Sequence, residues 1–299
     1  MQFTDFSLDQ RLLQSIKHMG ITEPTAIQEQ ALPIALAGKD LMASSKTGSG
    51  KTLAFLLPAL QRVISTRSLS KRDPRVLILL PTRELAHQVY SQLRLLVANT
   101  QYKAISVLGG ENFNDQAKAL AKEPHFIVAT PGRIADHLEQ KHLFLNGLEL
   151  LVLDEADRML DLGFAPQLKA INDAADHKRR QTLMFSATIS YDVLNLAQQW
   201  LFEPVTVEIE PEKKTNADVE QRVYMVAKTD KYKLLQEILR DEPIEKVMIF
   251  ANRRDQVRKL YDHLKRDGYK VVMLSGEIAQ DKRLKMLDQF KNGQHNIMI

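Results

Sequence analysis

Between residues 41 and 185, six apolar runs of three to five residues alternate with amphipathic stretches, and this alternation limits the fold more than any other feature. The runs are Leu41–Ala43, Val76–Leu80, Ile105–Leu108, Phe126–Ala129, Leu150–Leu153 and Thr182–Phe185. Each is bounded by turn or polar residues, the pattern of strands buried on both faces. Stretches such as Glu84–Ala98 and Phe113–Ala121 between them have helical periodicity. The repeated strand–helix order predicts an α/β chain with a parallel sheet covered by helices on both faces. The polar stretch 209–217, which contains Pro211, predicts a linker between a domain at 1–208 and another at 218–299. The alternation then restarts, with strands expected at Arg222–Val226, Val247–Phe250 and Val271–Leu274, a helix at Asp255–Asp267, and a strand just beginning at Asn296–Ile299. About 80 residues are few for a whole domain, so the second is expected to be incomplete, its last strand leaving an unpaired edge.

Composition narrows the setting. At 44% hydrophobic and 26% charged, the 299 residues suit a globular protein with a substantial core. Without cysteine there are no disulfides or thiolate metal sites, and a reducing, cytoplasmic home is favoured. Met1–Gln10 lacks the apolar core of a signal peptide, and no apolar run approaches the length of a membrane span. Residues 1–217 balance at 24 Lys/Arg against 24 Asp/Glu, while residues 218–299 carry 17 against 13. That excess permits a phosphate-backbone partner without demanding one.

The chemistry gathers where strands end. Ser45, Lys46, Thr47, Gly48, Ser49, Gly50, Lys51 and Thr52 lie between a strand-like run and the helix-like Leu53–Val63. Gly48 and Gly50 let backbone N–H groups turn toward phosphate oxygens, Lys51 reaches terminal phosphates, and Thr52 can hold Mg²⁺. The strict phosphate-loop pattern begins with Gly, where this chain has Ser45. A plain Gly/Ser turn is the alternative, and the strand–loop–helix setting argues against it. Glu149–Asp154 is an apolar strand ending in an acid, followed by Glu155 and Asp157. Beside a phosphate loop, Asp154 can fix Mg²⁺ and Glu155 can orient or deprotonate water. Three more segments follow strand runs directly: Pro81-Thr-Arg-Glu84, Thr130-Pro-Gly-Arg133 and Ser186-Ala-Thr188. Ligands of open parallel sheets bind outside the carboxyl ends of the strands, so one edge collects Lys51, Arg83, Arg133 and two acids.

Asp154-Glu-Ala-Asp157 spells the name of the DEAD-box ATP-dependent RNA helicases, and the other motifs fall in that family's order, so the whole chain resembles its bacterial members. Gly20-Ile-Thr-Glu-Pro-Thr-Ala-Ile-Gln28 resembles the Q motif, assigned here to residues 1–29 with the upstream aromatic Phe3. The resemblance implies that Gln28 reads the adenine edge and that Phe3 stacks on its ring; core packing is the plainer reading of Phe3. It further implies that Pro81, Thr82, Arg83, Gly109, Gly110, Thr130, Gly132 and Arg133 hold an RNA backbone. Asp157, Ser186 and Thr188 would couple the ATP site to RNA. Met248-Ile-Phe-Ala-Asn252 and Gln280-Asp-Lys-Arg283 are similar to motifs of the second domain, with Asn252 an RNA contact. Ser275 and Arg253 depart from the family pattern, which puts RNA contacts in the second domain in doubt.

The fold implied is two RecA-like parallel-sheet domains in tandem, the second incomplete. The cofactors implied are ATP and Mg²⁺. Lys51, Asp154 and Glu155 would be catalytic, and Thr52 and Asp154 would hold the metal partly through water. The partner would be RNA, as a single strand or short duplex gripped through its backbone, with no membrane. Ribonucleoprotein or RNA-decay partners and a monomeric state belong to the same expectation. Cleft closure between the domains would unwind or remodel short duplexes. The arginine-finger motif of the family lies beyond Ile299, so this chain is expected to bind ATP without efficient turnover. An ATP-gated RNA clamp uses the same motifs, and only turnover-coupled unwinding separates it from a motor. A metabolic P-loop ATPase is disfavoured by the Pro81, Gly109 and Thr130 segments. His137 and His142 are five apart and do not share a helix face, so they are expected to be surface histidines rather than zinc ligands. Lys178-Arg-Arg180 reads as a solvated loop.

Overall fold

The runs at Val76–Leu79, Phe126–Ala129 and Leu150–Leu153 are apolar at every position because their strands are covered on both faces, while Ala104–Val107, at the sheet edge, is only half-buried and carries Ser106. In the structure, a computed structural model, one parallel sheet is formed by β1 (Leu41–Ser44), β2 (Val76–Leu79), β3 (Ala104–Val107), β4 (Phe126–Ala129), β5 (Leu150–Leu153), β6 (Gln181–Ser186) and β7 (Val205–Glu208). Its order is β3-β4-β2-β5-β6-β1-β7. Leu150 and Val152 of β5 enter the core on one face, and Leu151 and Leu153 the core on the other. Fully burying such a side chain is worth about 1.5–3 kcal/mol, so a polar replacement there removes a large part of the net stability. The first core is closed by α1 (Gln10–His18), α2 (Ala26–Leu36), α3 (Lys51–Ser65) and α4 (Arg83–Val97). The second is closed by α5 (Phe113–Leu120), α6 (Pro131–Glu139), α7 (Ala156–Asp161), α8 (Ala165–Ala174) and α9 (Tyr191–Trp200).

The structure describes all residues except Thr47, Leu69, Lys71, Asn99, 176–179, 210–218, 242–244, 275–277 and 279. Thr47 of the phosphate loop, Lys178 and Arg179, most of the expected linker and Ser275 therefore lie outside the described residues. The chain divides into two compact units, Met1–Lys214 and Thr215–Ile299. Within the described residues of the second, β8 (Val247–Met248), β9 (Val271–Val272) and β10 (Ile297–Met298) form a parallel sheet, accompanied by α10 (Lys231–Asp241), α11 (Arg254–Arg266) and α12 (Gln280–Lys291). Both units are α/β, with the parallel sheets implied by the RecA-like resemblance.

Two expectations are corrected, and one strand had not been expected. Arg222–Val226 forms no strand: Val223 and Met225 are 93% and 100% exposed, and β-favouring side chains without a neighbouring ladder do not make a strand. The last strand is no edge, because β10 lies between β8 and β9. Strand β7 was not anticipated. It is an edge strand with only Val207 of its four residues buried, too little apolar surface to stand out.

Candidate nucleotide and nucleic-acid sites

Parallel pairing of β1 with β6, and of β5 with β6 and β2, brings their carboxyl ends side by side. A cavity of about 540 Å³ opens there, lined in part by Gln28, Gly50, Lys51, Thr52, Asp154 and Glu155. The loop after β1 is held from both sides. The Ser45 N–H donates to the Ser186 carbonyl at 3.2 Å, and the Ser45 and Ser49 hydroxyls are 2.8 Å apart. Lys51, at the start of α3, is buried and its Nζ donates to the Ser45 carbonyl at 3.1 Å. Gly48 and Gly50 take φ of 78° and 93°, the left-handed region. A Cβ on Gly50 would lie 2.7 Å from Gln28 Nε2 and Thr25 Oγ1.

Gln28 ties this loop to α2. Its side chain accepts from the Thr25 N–H at 3.0 Å, closing a capping box, and its Nε2 donates to the Gly50 carbonyl at 2.8 Å. Phe3 is placed otherwise. It is not among the cavity's lining residues and packs in the core, 4% exposed, beside Phe6. This is the core packing of the plainer reading, and stacking on adenine would need one face of the Phe3 ring to be uncovered.

Asp154 directly follows β5 and is buried, 7% exposed. Burial is the main cause that raises its pKa to about 6; Lys51 opposes the shift and Glu155 adds to it. Glu155 stands at φ 55°, ψ 51°, a left-handed conformation that a side chain disfavours, and is buried. Such strain concentrates at functional positions. Asp157 faces the loop after β6: its Oδ2 accepts from the Thr188 N–H at 2.9 Å and from Thr188 Oγ1 at 2.8 Å. The Asp157 N–H points to Ser186 Oγ at 3.3 Å. Burial opposes ionisation of Asp157, but the bonds from Thr188 and the Arg158 N–H outweigh it and hold the pKa below the usual range.

A second group forms farther along the same edge. Thr82 caps α4 by accepting from the Leu85 N–H, and Arg83 follows. The Arg83 guanidinium lies against Gly109 and Gly110, where a Cβ on Gly110 (φ 81°) would overlap it. Thr130 Oγ1 accepts from the Gly109 N–H at 3.4 Å, and Arg133 donates to the Glu111 carbonyl at 3.1 Å. Pro131 and Gly132 form the first turn of α6, after Thr130, and Pro81 is buried ahead of Thr82. Asn252 belongs to the second unit and is exposed ahead of α11. Among the described residues no cluster of His, Asp and Glu suits a metal ion, and no helix is long and apolar enough to cross a membrane.

The comparisons agree with this layout. The model of the DEAD/DEAH box helicase family matches residues 25–196, and that of the helicase conserved C-terminal domain matches residues 230–299. The chain belongs to the DEAD/DEAH box helicases. It is 42% identical over 303 residues to the ATP-dependent RNA helicase RhlB of Pseudomonas putida, which covers all of this chain and 76% of that protein. The proteins of the same name from Hamiltonella defensa and Proteus mirabilis are 36% and 35% identical, again over all of this chain and over 72% and 70% of theirs.

Some residues of this DEAD/DEAH box helicase carry no motif and were missed. Leu85, Gln88, Val89 and Gln92 of α4 also line the cavity. Their spacing of three and four puts them on one helix face, a usable signal, but glutamines there read as solvated. His137 is the clearest correction. It is fully buried rather than on the surface, because α6 turns it under α5, where its ring stacks on Phe113 with centroids 4.1 Å apart and planes at 3°.

Proposed function

We propose that this chain, an ATP-dependent RNA helicase and ATP hydrolase by its family, opens or remodels short RNA duplexes locally in the cytoplasm. The observation that carries the reading is the shared sheet edge: a buried lysine and a buried carboxylate line one cavity, and Arg83 beside the paired glycines and Arg133 on the next residue, Glu111, lie along the same edge. The cavity residues fit Mg·ATP. Positive-φ glycines leave room for phosphate oxygens, and a divalent cation would offset the cost of the Asp154 charge. Thr52 and Asp154 would hold Mg²⁺ partly through water, and the metal would neutralise charge on the phosphate oxygens. Lys51 binds the terminal phosphates, Gln28 the adenine edge, and Glu155 orients the attacking water.

Thr82, Arg83, Gly110, Thr130 and Arg133 grip the RNA backbone, which confers little sequence preference. Asp157, Ser186 and Thr188 tie the loops after β5 and β6 to each other, next to the two acids of the cavity, and this supports a role in passing changes at the nucleotide along the sheet edge. The test is Glu155→Gln in a version of the protein that carries the family's arginine-finger motif. It should bind a fluorescent ATP analogue as the unmodified protein does and lose about 10²- to 10⁴-fold of RNA-saturated turnover. Unchanged turnover would remove Glu155 from the catalytic set. Strand displacement should need ATP and an RNA strand; RNA held without any strand separation would leave a clamp in place of a motor.

A further inference from the structure

Behind the arginine–glycine group lies a buried polar chain that none of the roles above uses. His137 Nε2 is 3.1 Å from Gln116 Oε1, and Gln116 Nε2 donates to the Leu108 carbonyl at 2.8 Å and to Glu111 Oε2 at 2.9 Å. Gln116 and His137 are 5% and 0% exposed. The Leu108 carbonyl and the Glu111 carboxylate can only accept, so the amide must direct its nitrogen at them and its oxygen at His137. That oxygen requires a hydrogen on Nε2, which assigns the tautomer. Nδ1 is left bare, and it is buried with no hydrogen-bond partner among the described residues. Burial first, then His142 and Arg133, press the pKa of this neutral ring down to about 4.

The chain ends on the segment that the arginines touch. Residues 108–112 join β3 to α5 and contain two adjacent glycines, whose backbone freedom must be removed before anything can rest on them. Gln116 holds the segment on both sides of that pair, at Leu108 and at Glu111. Thr130 holds Gly109 between them, and Arg133 donates to the carbonyl of Glu111. His137, fixed by its stack on Phe113, keeps the Gln116 amide from turning over. We propose that Gln116 and His137 are positioning residues for RNA: they set the glycine segment at the place where Arg83 and Arg133 meet it. This rests on the reading that Arg83, Gly110 and Arg133 hold RNA.

The test uses the full chain, a fluorescein-labelled single-stranded RNA read by anisotropy in the presence of ATP, and a fluorescent ATP analogue in parallel. His137→Leu, which removes one buried hydrogen bond, should weaken RNA binding about tenfold, Gln116→Met, which removes the bonds to Leu108, Glu111 and His137, at least as much, and both should leave ATP binding within about twofold. His137→Gln keeps an N–H donor at the Nε2 position and should restore RNA binding. Nitrogen NMR of the histidines should show one neutral ring protonated at Nε2. Arg83→Ala separates this proposal from the one beneath it. If Arg83→Ala binds RNA normally, the RNA grip itself falls, and the positioning role with it. If Arg83→Ala is weakened while Gln116→Met and His137→Leu bind normally, the grip stands and the positioning role is overturned. Parallel loss of ATP and RNA binding, or no rescue by His137→Gln, also overturns it, because a packing defect predicts both.

Discussion

Asp154 sits buried at the end of β5 with its pKa raised to about 6, so in the ligand-free protein its charge works against the fold at neutral pH. The folded state holds this proton more tightly than the unfolded chain, whose carboxyl titrates near 3.8. Stability from this group is therefore full below the unfolded pKa, is lost as pH rises through 6, and stays lost above it. A rise of about 2 units corresponds to about 3 kcal/mol. Asp154→Asn should raise the stability of the Mg²⁺-free protein by about 3 kcal/mol at pH 8 and by about 1 kcal/mol at pH 4.5, read by urea denaturation. An equal gain at both pH values would place the cause elsewhere. The next residue, Glu155, adds a left-handed backbone that costs a further 1–2 kcal/mol or so. Two adjacent residues thus hold the protein below its best stability, at the point where the proposed chemistry needs a bare acid and a fixed carboxylate.

At the scale of elements, the start of α2 and the phosphate loop act as one piece, because Gln28 caps the helix and bonds Gly50 with the same side chain. Gln28→Ala should cost about 1–2 kcal/mol of stability and blunt the preference for ATP over GTP, read by thermal melting and competition binding. An unaltered nucleotide preference would detach Gln28 from the base. The elements themselves were legible where burial was two-sided. The runs at β4 and β5 coincide with the strands to the residue, since every position must be apolar there. Strand β7 was not legible, for an edge strand needs few apolar residues, and Arg222–Val226 misled because Val, Tyr and Met fit a strand only beside a partner. The motif residues of the site were legible from their shared position after strands. The α4 face left a signal in its spacing that its glutamines masked, whereas Gln116 and His137 left none, because their placement depends on how neighbouring helices pack, which spacing along one helix does not encode.

Across the first unit the two edges of the sheet divide the labour. The amino edge is tied by buried polar bonds: Arg75 and Glu149 form a two-pronged ion pair at 2.6 and 2.8 Å, and Arg75 also donates to the Val63 carbonyl. Gln181 donates to the carbonyls of Ala35 and Lys39, and Asp40 accepts from the N–H groups of Thr182 and Phe202. The carboxyl edge carries the glycines, the strained acid and the cavity. Glu149→Ala would strand a buried guanidinium and should cost about 3–5 kcal/mol, while the protein that remains folded binds ATP as before. A changed ATP affinity in the folded fraction would mean that the two edges are coupled through the sheet. The strand order also bears on how the protein is made. Among the described residues strand β1 pairs with β6 and β7, through contacts such as Leu41 with Leu183 and with Val205. A ribosome releases β1 well before either neighbour, so the phosphate-loop strand waits without a ladder while most of the unit is translated. The nascent chain therefore cannot assemble its nucleotide pocket until residues 181–186 have left the exit tunnel, and a pause in translation before that point would leave an apolar strand for chaperones to shield.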